Sequence, residues 1–165
     1  ELVGAMDALG IVHDASHLCD ASFDDLLSHS RGRLIASHSN CRSLAGDDQR
    51  HLRDDQVCAI ADRDGIIGLN LYTRFLHPSQ RATAGDCTAH VQRVVSLMGH
   101  VRGTALGSDM DGGFTPADLP EGIERPEDLG AISRILASAG WSEEDLDAFR
   151  FGNWYRLLED ILPGA

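Results

Sequence analysis

The sequence contains no lysine, since all 14 of its basic residues are arginine. Without lysine the chain cannot form a Schiff base with a substrate, use a P-loop lysine, or bridge metal ions with a carbamylated lysine. Positive charge is also scarce, because 26 acidic residues give a net charge of −12. A nucleic-acid partner needs positive charge opposite its phosphates, so this charge balance argues against nucleic-acid binding.

Long apolar runs and targeting signals are missing as well. No stretch approaches the roughly 18 apolar residues of a membrane span, and neither a signal peptide nor a lipid-attachment motif is visible. The hydrophobic fraction of 42% and the charged fraction of 24% are typical of a soluble globular domain. The 165 residues suit a single domain, and the sequence leaves its cellular location unknown.

Cysteine is sparse, and its spacing is not that of a metal or disulfide motif. The four cysteines form no C-x-x-C pair and are too few for a disulfide scaffold; they are Cys19, Cys41, Cys58 and Cys87. We expect free thiols, with a single disulfide as the alternative.

A short apolar run followed by polar residues and a helical pattern occurs four times. Strands are predicted at residues 10–12, 34–36, 66–69 and 104–107. Helices are predicted at about residues 22–30, 54–63 and 84–98, followed by helical segments over 126–139, from Ser142, and over 154–162. Strands that alternate with helices predict an α/β fold with a parallel sheet.

Polar side chains follow each predicted strand. These are His17, His38, Asn70 with Tyr72, and Asp109 with Asp111. In parallel α/β folds the reactive groups collect beyond the carboxyl ends of the strands, so we expect these side chains to lie together. Histidines from two neighbouring strand ends are suited to bind one Zn²⁺ ion. The two aspartates share a face, and chemistry alone does not choose which one handles protons.

The other histidines are interpreted as structural or solvated. His13 could share a face with His17 if the first strand ran unbroken to it, but we favour a packing role. We interpret the remaining five as loop, helix-end or helix-flank residues: His29, His51, His77, His90 and His100.

Five segments carry a resemblance to a known family. They are DASH at 14–17, IASHSNCR at 35–42, RHLRDD at 50–55, GSDMDG at 107–112 and GNWYRLL at 152–158. Their order and spacing resemble those of the membrane (renal) dipeptidase family of zinc peptidases, over essentially the whole chain. The resemblance implies a TIM-barrel hydrolase that cleaves small dipeptides at a two-zinc centre.

The resemblance also assigns the metal ligands and the catalytic group. His17 and His38 match two histidines that bind the second metal ion. Asp109 matches the catalytic aspartate, which takes a proton from the metal-bridging water and delivers it to the leaving amine. Two metal ions suit this reaction because they polarise the scissile carbonyl and lower the pKa of the attacking water.

Substrate-binding residues follow from the same resemblance. Arg50 matches the arginine that binds the terminal carboxylate of the substrate, a role suited to its planar pair of donors. The loop before Arg50 is one residue longer than usual, so Arg42 and Arg53 are competing candidates. Asn70 and Tyr72 correspond to residues that line the pocket, with packing as the alternative role.

The first metal site of the family lies in a part that this chain does not match. It uses an H-x-D motif and a bridging glutamate, all in the amino-terminal half. Four βα units also leave strand edges uncovered. We therefore expect residues 1–165 to be the carboxyl-terminal half of a (β/α)8 barrel, with about four parallel strands plus terminal helices. Its partner would be the amino-terminal half, on the same or a separate polypeptide; a homo-oligomer stays open.

The predicted function is a zinc-dependent dipeptidase that is active when both halves are present. One alternative is a related barrel hydrolase with a different amide or lactam substrate. The other is a non-catalytic protein that lacks the first metal site, because a fold does not fix a function.

Overall fold

A computed structural model describes residues 1–162 of the chain. Its strands are β1 (His13–Asp14), β2 (Leu34–Ile35), β3 (Ile67–Leu69) and β4 (Thr104–Leu106). Its α-helices are α1 (Leu2–Ala8), α2 (Asp20–His29), α3 (Arg42–Ala45), α4 (Asp54–Ala61), α5 (Thr73–Leu76), α6 (Ala84–Met98), α7 (Gly130–Ser138), α8 (Glu143–Asp147) and α9 (Asn153–Ile161). Short 3-10 turns occupy Val101–Gly103, Pro116–Asp118 and Pro126–Leu129, and a π-helical turn, Ala148–Gly152, joins α8 to α9.

The strands are parallel and lie side by side in the order of the sequence. β1 pairs with β2, and β3 pairs with β4. A parallel bridge between Ala36 and Ile67 connects the two pairs. The predicted α/β fold with short parallel strands and many helices is confirmed.

The array of four strands is strongly curved next to two glycines, Gly68 and Gly107. Gly107 follows β4, two strands away from Ser37, and in a flat sheet that separation would be about 9–10 Å. Instead, a Cβ atom on Gly107 would come within 1.9 Å of the Ser37 carbonyl oxygen, and so would one on Gly68. Only glycine allows this approach, so the two glycines permit the curvature.

Local sequence signals explain the longest helix. The Thr83 side chain accepts a hydrogen bond from the Asp86 backbone N–H at the start of α6, and Gly99 ends the helix in the left-handed conformation. The 15 residues of α6 match the predicted range. Within residues 1–162 no helix is long and apolar enough to cross a membrane.

The helices bury two main apolar clusters against the strands. One cluster surrounds Leu71, Ile132 and Phe149 and joins α6 to the carboxyl-terminal helices. The other surrounds Phe23 and Ile60, under α2 and α4. The four cysteines are thiols as predicted, and burial raises the pKa of Cys41 and of Cys87 to about 12.

The first predicted strand was wrong in position. Residues 9–10 form a turn, in which Gly10 has a φ of +70°, and residues 11–12 have no regular secondary structure. Ile11 is 45% exposed, and β1 begins only at His13. Pairing with β2 sets this start, because His13 lies opposite Leu34. His13 itself is buried and hydrogen-bonds Asp7 through Nε2 at 2.8 Å, so the expected packing role is confirmed.

His90 was predicted to lie on the flank of a helix. It does belong to α6, but its side chain is buried against neighbouring segments. Its Nδ1 accepts a hydrogen bond from the Cys41 backbone N–H at 3.0 Å, and its Nε2 lies 3.1 Å from the Leu76 carbonyl oxygen. This histidine therefore joins the loop after β2 to α5 and α6.

Candidate active site

Side-chain hydrogen bonds tie together the carboxyl ends of neighbouring strands. The Ser37 hydroxyl, after β2, donates to the Asp14 carboxylate at the end of β1. The Asn40 side chain, also after β2, accepts from the Asn70 backbone N–H at 3.1 Å. Asn70, after β3, donates from Nδ2 to Asp109 Oδ2 at 2.9 Å, after β4. The four strand ends therefore form one connected polar edge.

The two predicted metal-binding histidines meet at this edge. His17 Nε2 lies 2.9 Å from His38 Nε2, and the ring centroids are 5.0 Å apart. His38 Nδ1 lies 2.6 Å from Ser37 Oγ, whereas its Nε2 is the nitrogen that faces His17. Neutral imidazole nitrogens that converge in this way are suited to ligate zinc.

The surroundings of His17 favour its neutral form. Burial, the positive charge of Arg50 and the neighbouring His38 lower the pKa of His17, and they outweigh the opposite effect of Asp109 and Asp14. A neutral imidazole is the form that binds a metal ion.

The pair supplies only part of a metal site. In the described part of the chain, no cluster of three or more histidine, cysteine, aspartate or glutamate side chains is suited to hold a metal ion. A protein zinc site takes at least three such ligands. The two histidines are thus fewer than the ligands that such a site needs.

Asp109 is held in a strained backbone conformation. Within residues 1–162, three residues other than glycine have a positive φ, and two of them are His17 at 68° and Asp109 at 56°. Such conformations cluster at functional sites. The carboxylate of Asp109 is half-buried and fixed by Asn70, whereas Asp111 is exposed. The structure thus distinguishes the two aspartates that side-chain chemistry alone left equivalent.

Arg50 lies directly beside His38. Its Nη2 donates to the His38 carbonyl oxygen at 2.6 Å, and its Nη1 donates to Ser39 Oγ at 2.9 Å. The guanidinium stands 5.0 Å from the ring centroid of Phe75. Its Nε atom is buried and has no hydrogen-bond partner among residues 1–162.

The competing arginines are engaged elsewhere. Both oxygens of Asp20 accept hydrogen bonds from Arg42, at 2.9 and 2.7 Å. Arg53 Nη1 lies 2.8 Å from Asp20, and two of its nitrogens donate to Asp55 at 2.9 Å. The hydrogen bonds from Arg42 contribute most to a pKa of about 2 for Asp20. Arg42 and Arg53 thus hold α2, α3 and α4 together.

The predicted pocket residues occupy different depths. The Tyr72 ring stacks on Phe114 with centroids 4.6 Å apart and meets Phe75 edge-on at 4.8 Å. Asn70 is fully buried, where its Oδ1 accepts from the Tyr72 backbone N–H at 2.7 Å. It therefore lies beneath Asp109, which agrees with the packing role that the sequence left open as the alternative to pocket lining.

The sequence reasoning missed several residues of this edge. Asp14, Ser37 and Asn40 were not proposed as site residues, although each hydrogen-bonds a neighbouring strand end. A signal was present, since Ala-Ser-His occurs at 15–17 and again at 36–38. No comparable pattern marks the aromatic residues Phe75 and Phe114.

Comparison with known proteins matches this chain to a family of peptidases. The family model of the membrane dipeptidases (peptidase family M19) matches residues 1–162. An uncharacterized protein in the pqqA 5' region of Klebsiella pneumoniae is 30% identical over 98% of this chain and 59% of its own length. Dipeptidase aclJ of Aspergillus oryzae is 29% identical over 97% of this chain and 37% of its own length.

Solved structures agree with the sequence match. A metallopeptidase from Rhodobacter sphaeroides, crystallised with a phosphinate mimic of the dipeptide L-Ala-D-Ala, superposes with a TM-score of 0.86 at 32% identity. The match covers 98% of this chain and 45% of that protein. A metallopeptidase described as dipeptidase AC also gives a TM-score of 0.86, at 31% identity, over 97% of this chain and 47% of its own. The chain thus spans about half the length of these relatives.

Proposed function

The chain belongs to the membrane dipeptidase family, peptidase family M19, and we propose that it carries one half of the active site of a metal-dependent dipeptidase. The pair of facing imidazoles at the carboxyl ends of β1 and β2, with Nε2 atoms 2.9 Å apart, is the observation that carries this proposal. The substrate would be a small dipeptide with a free terminal carboxylate.

The complementary half would come from a polypeptide segment outside this chain, as part of the same or another molecule. Its contribution would include the remaining metal ligands, because residues 1–162 offer no third ligand near the pair. The curl of the strand array around Ser37 supports a half of a (β/α)8 barrel, since a closed barrel requires this curvature. The 45% and 47% coverage of the two solved relatives agrees with a half.

Zinc is the metal that the donor set favours. Imidazole nitrogens suit Zn²⁺, and His17 and His38 would hold one ion of a two-metal site. When bound, the metal ions would polarise the scissile carbonyl and make the attacking water more acidic. His38 would keep its ring orientation through Ser37.

Arg50 would bind the carboxylate of the dipeptide. Its guanidinium is fixed beside His38 by two hydrogen bonds and by Phe75, so the positive charge is already in place before a substrate enters. Nη1 and Nη2 each use one N–H in these hydrogen bonds and carry a second N–H, which a carboxylate can accept. This preorganisation would place the amide bond of a short substrate close to the histidine pair.

Asp109 would transfer the proton. Its Oδ2 is engaged by Asn70, so Oδ1 is the oxygen that would take a proton from the attacking water and pass it to the leaving amine. The Tyr72 and Phe114 rings, which stack on each other, would form an apolar wall of the substrate pocket.

Hydrolysis by the full-length protein that contains this chain tests the proposal. L-Ala-D-Ala is the first substrate to assay, because a mimic of it is bound in the related peptidase from Rhodobacter sphaeroides. We expect the protein to hydrolyse this dipeptide, a chelator to abolish the activity, and added zinc to restore it. The matched substrate is the same dipeptide with an amidated carboxyl end, which should be cleaved far more slowly.

Two results would contradict the proposal, and each points to one alternative. Equal cleavage of the acid and the amide would favour a hydrolase for another class of amide or lactam. Absence of turnover in the zinc-loaded full-length protein would favour a non-catalytic member of the family.

A further inference from the structure

One carboxylate connects the two turns that present the histidines. Asp14 Oδ1 accepts a hydrogen bond from the Ser16 backbone N–H at 2.9 Å and another from the Ser37 backbone N–H at 3.0 Å. Ser16 directly precedes His17, and Ser37 directly precedes His38. The position of each imidazole therefore depends on the same side chain.

The second oxygen of Asp14 sets the direction of a hydrogen-bond relay. A carboxylate can only accept, so the Ser37 hydroxyl must donate its one proton to Asp14 Oδ2. Ser37 Oγ then has only lone pairs to offer to His38 Nδ1, which lies 2.6 Å away. His38 Nδ1 must carry the proton, and Nε2 is left with a free lone pair that faces His17.

We propose that Asp14 is the positioning residue for both metal-binding imidazoles: it fixes the two Ser-His turns and, through Ser37, the tautomer of His38. The inference deepens the proposed function, on which it rests for the identity of the metal. A fixed tautomer matters because a metal ion binds the unprotonated nitrogen, and supporting groups of this kind strongly affect metal affinity.

Asp14→Asn separates the two roles of the carboxylate. The Oδ1 of asparagine can still accept from both backbone N–H groups, so the turns are retained. Its Nδ2 donates to Ser37 Oγ instead of accepting from it, which frees the serine proton to bind His38 Nδ1. The proton of His38 then moves to Nε2, the nitrogen that zinc requires.

The first readout is the tautomer of His38 in the zinc-free full-length protein. Long-range ¹H–¹⁵N correlation spectra, recorded at alkaline pH where imidazoles are neutral, report which ring nitrogen carries the proton. We expect the proton on Nδ1 in the wild type and on Nε2 in Asp14→Asn. The second readout is zinc affinity by competition with a chelator, which we expect to fall by roughly 10- to 100-fold.

Asp7→Asn is the matched control. Asp7 lies before the opposite end of β1 and also accepts several hydrogen bonds, from the Arg31 backbone N–H at 2.7 Å, from the Gly32 backbone and from Ser30. The Asp7→Asn substitution should destabilise the fold without changing which ring nitrogen of His38 carries the proton. An unchanged tautomer in Asp14→Asn, or an equal loss of zinc affinity in Asp7→Asn, would overturn the inference.

Ser37→Ala tests the hydrogen-bond relay to His38 if Asp14→Asn fails to fold. This variant keeps both backbone hydrogen bonds to Asp14 and removes only the relay. We expect a mixture of His38 tautomers and weaker zinc binding, whereas a wild-type spectrum and affinity would contradict the relay. The tautomer is measured without zinc or substrate, so a protein that hydrolyses no dipeptide would refute the proposed function and leave this test valid.

Discussion

Asn70 donates a hydrogen bond from Nδ2 to Asp109 Oδ2 over 2.9 Å, and its own Oδ1 accepts from the Tyr72 backbone N–H at 2.7 Å. The amide is fully buried and cannot rotate without breaking both bonds. It therefore fixes the orientation of the Asp109 carboxylate, even though the Asp109 backbone has a strained positive φ of 56°.

Asp109→Asn should lower kcat for dipeptide hydrolysis by roughly 10²- to 10⁴-fold, with a small change in KM. The amide keeps the shape of the side chain but cannot take up a proton. Steady-state kinetics on the zinc-loaded full-length protein measure this change. The neighbouring Asp111→Asn variant should keep wild-type kcat because Asp111 is exposed, and equal losses in the two variants would contradict the assignment.

Gly112→Ala should displace the Asp109 carboxylate through steric contact. A Cβ atom at this position would lie 2.6 Å from Asp109 Oδ1 and 2.9 Å from the Asp109 carbonyl oxygen, closer than van der Waals contact. We expect kcat to fall at least about 10-fold while zinc content stays unchanged, because displacing a catalytic group by a fraction of an ångström is costly. In the control variant, Gly4→Ala, the added Cβ meets nothing within 4 Å, so kinetics should be unchanged.

Arg50→Met should raise KM for a dipeptide by roughly 10- to 100-fold, as expected for the loss of a charge-assisted hydrogen bond of about 1.5–3 kcal/mol. It should also abolish the preference for the free carboxylate over the amidated end, which is measured as the ratio of the two kcat/KM values. Arg74→Met replaces an exposed arginine on α5 and serves as the control. If Arg50→Met kept the preference, another group would bind the carboxylate.

His51 should make the fold less stable at acidic pH. Burial and, secondarily, the charge of Arg50 lower its pKa from 6.5 to about 4. The unfolded chain therefore takes up this proton first, and the free energy of unfolding falls as pH decreases from about 6.5 to about 4. The effect is a few kcal/mol at most, because each unit of pKa difference corresponds to about 1.4 kcal/mol.

Denaturant unfolding across this pH range measures the effect of His51. In His51→Leu the loss of stability toward acidic pH should be smaller than in the wild type, because no buried imidazole has to be protonated. His100→Leu, at an exposed histidine, should follow the wild-type curve. Parallel curves for the wild type and His51→Leu would show that His51 does not titrate differently on folding.

Local signals predicted six of the α-helices in residues 1–162, whereas α1, α3 and α5 were not predicted. The Thr83 cap and Gly99 mark both ends of α6, and Ser142 caps α8 through a hydrogen bond from the Asp145 backbone N–H. The first strand was misplaced because the apolar run over 10–12 faces solvent in part, and only pairing of His13 with Leu34 selects the strand. Pairing between distant segments is not readable from one short run of residues.

The candidate site was predicted in its main groups but not in their supports. Family resemblance indicated His17, His38 and Asp109, which lie along one edge of the sheet. The roles of Asp14 and Ser37 depend on which oxygen meets which donor across two loops, and sequence spacing carries no such information. The burial of Asn70 beneath Asp109 likewise follows from the packing of three strand ends.

We propose that His17 and His38 bind one metal ion at a site whose other ligands come from the rest of the protein. Zinc content per polypeptide, measured by elemental mass spectrometry on natively purified full-length protein, tests this claim. We predict about two zinc ions in the wild type and about one in His38→Ala, as for a two-metal site that loses one ion. A wild type without metal, or a His38→Ala variant with the wild-type zinc content, would contradict the claim.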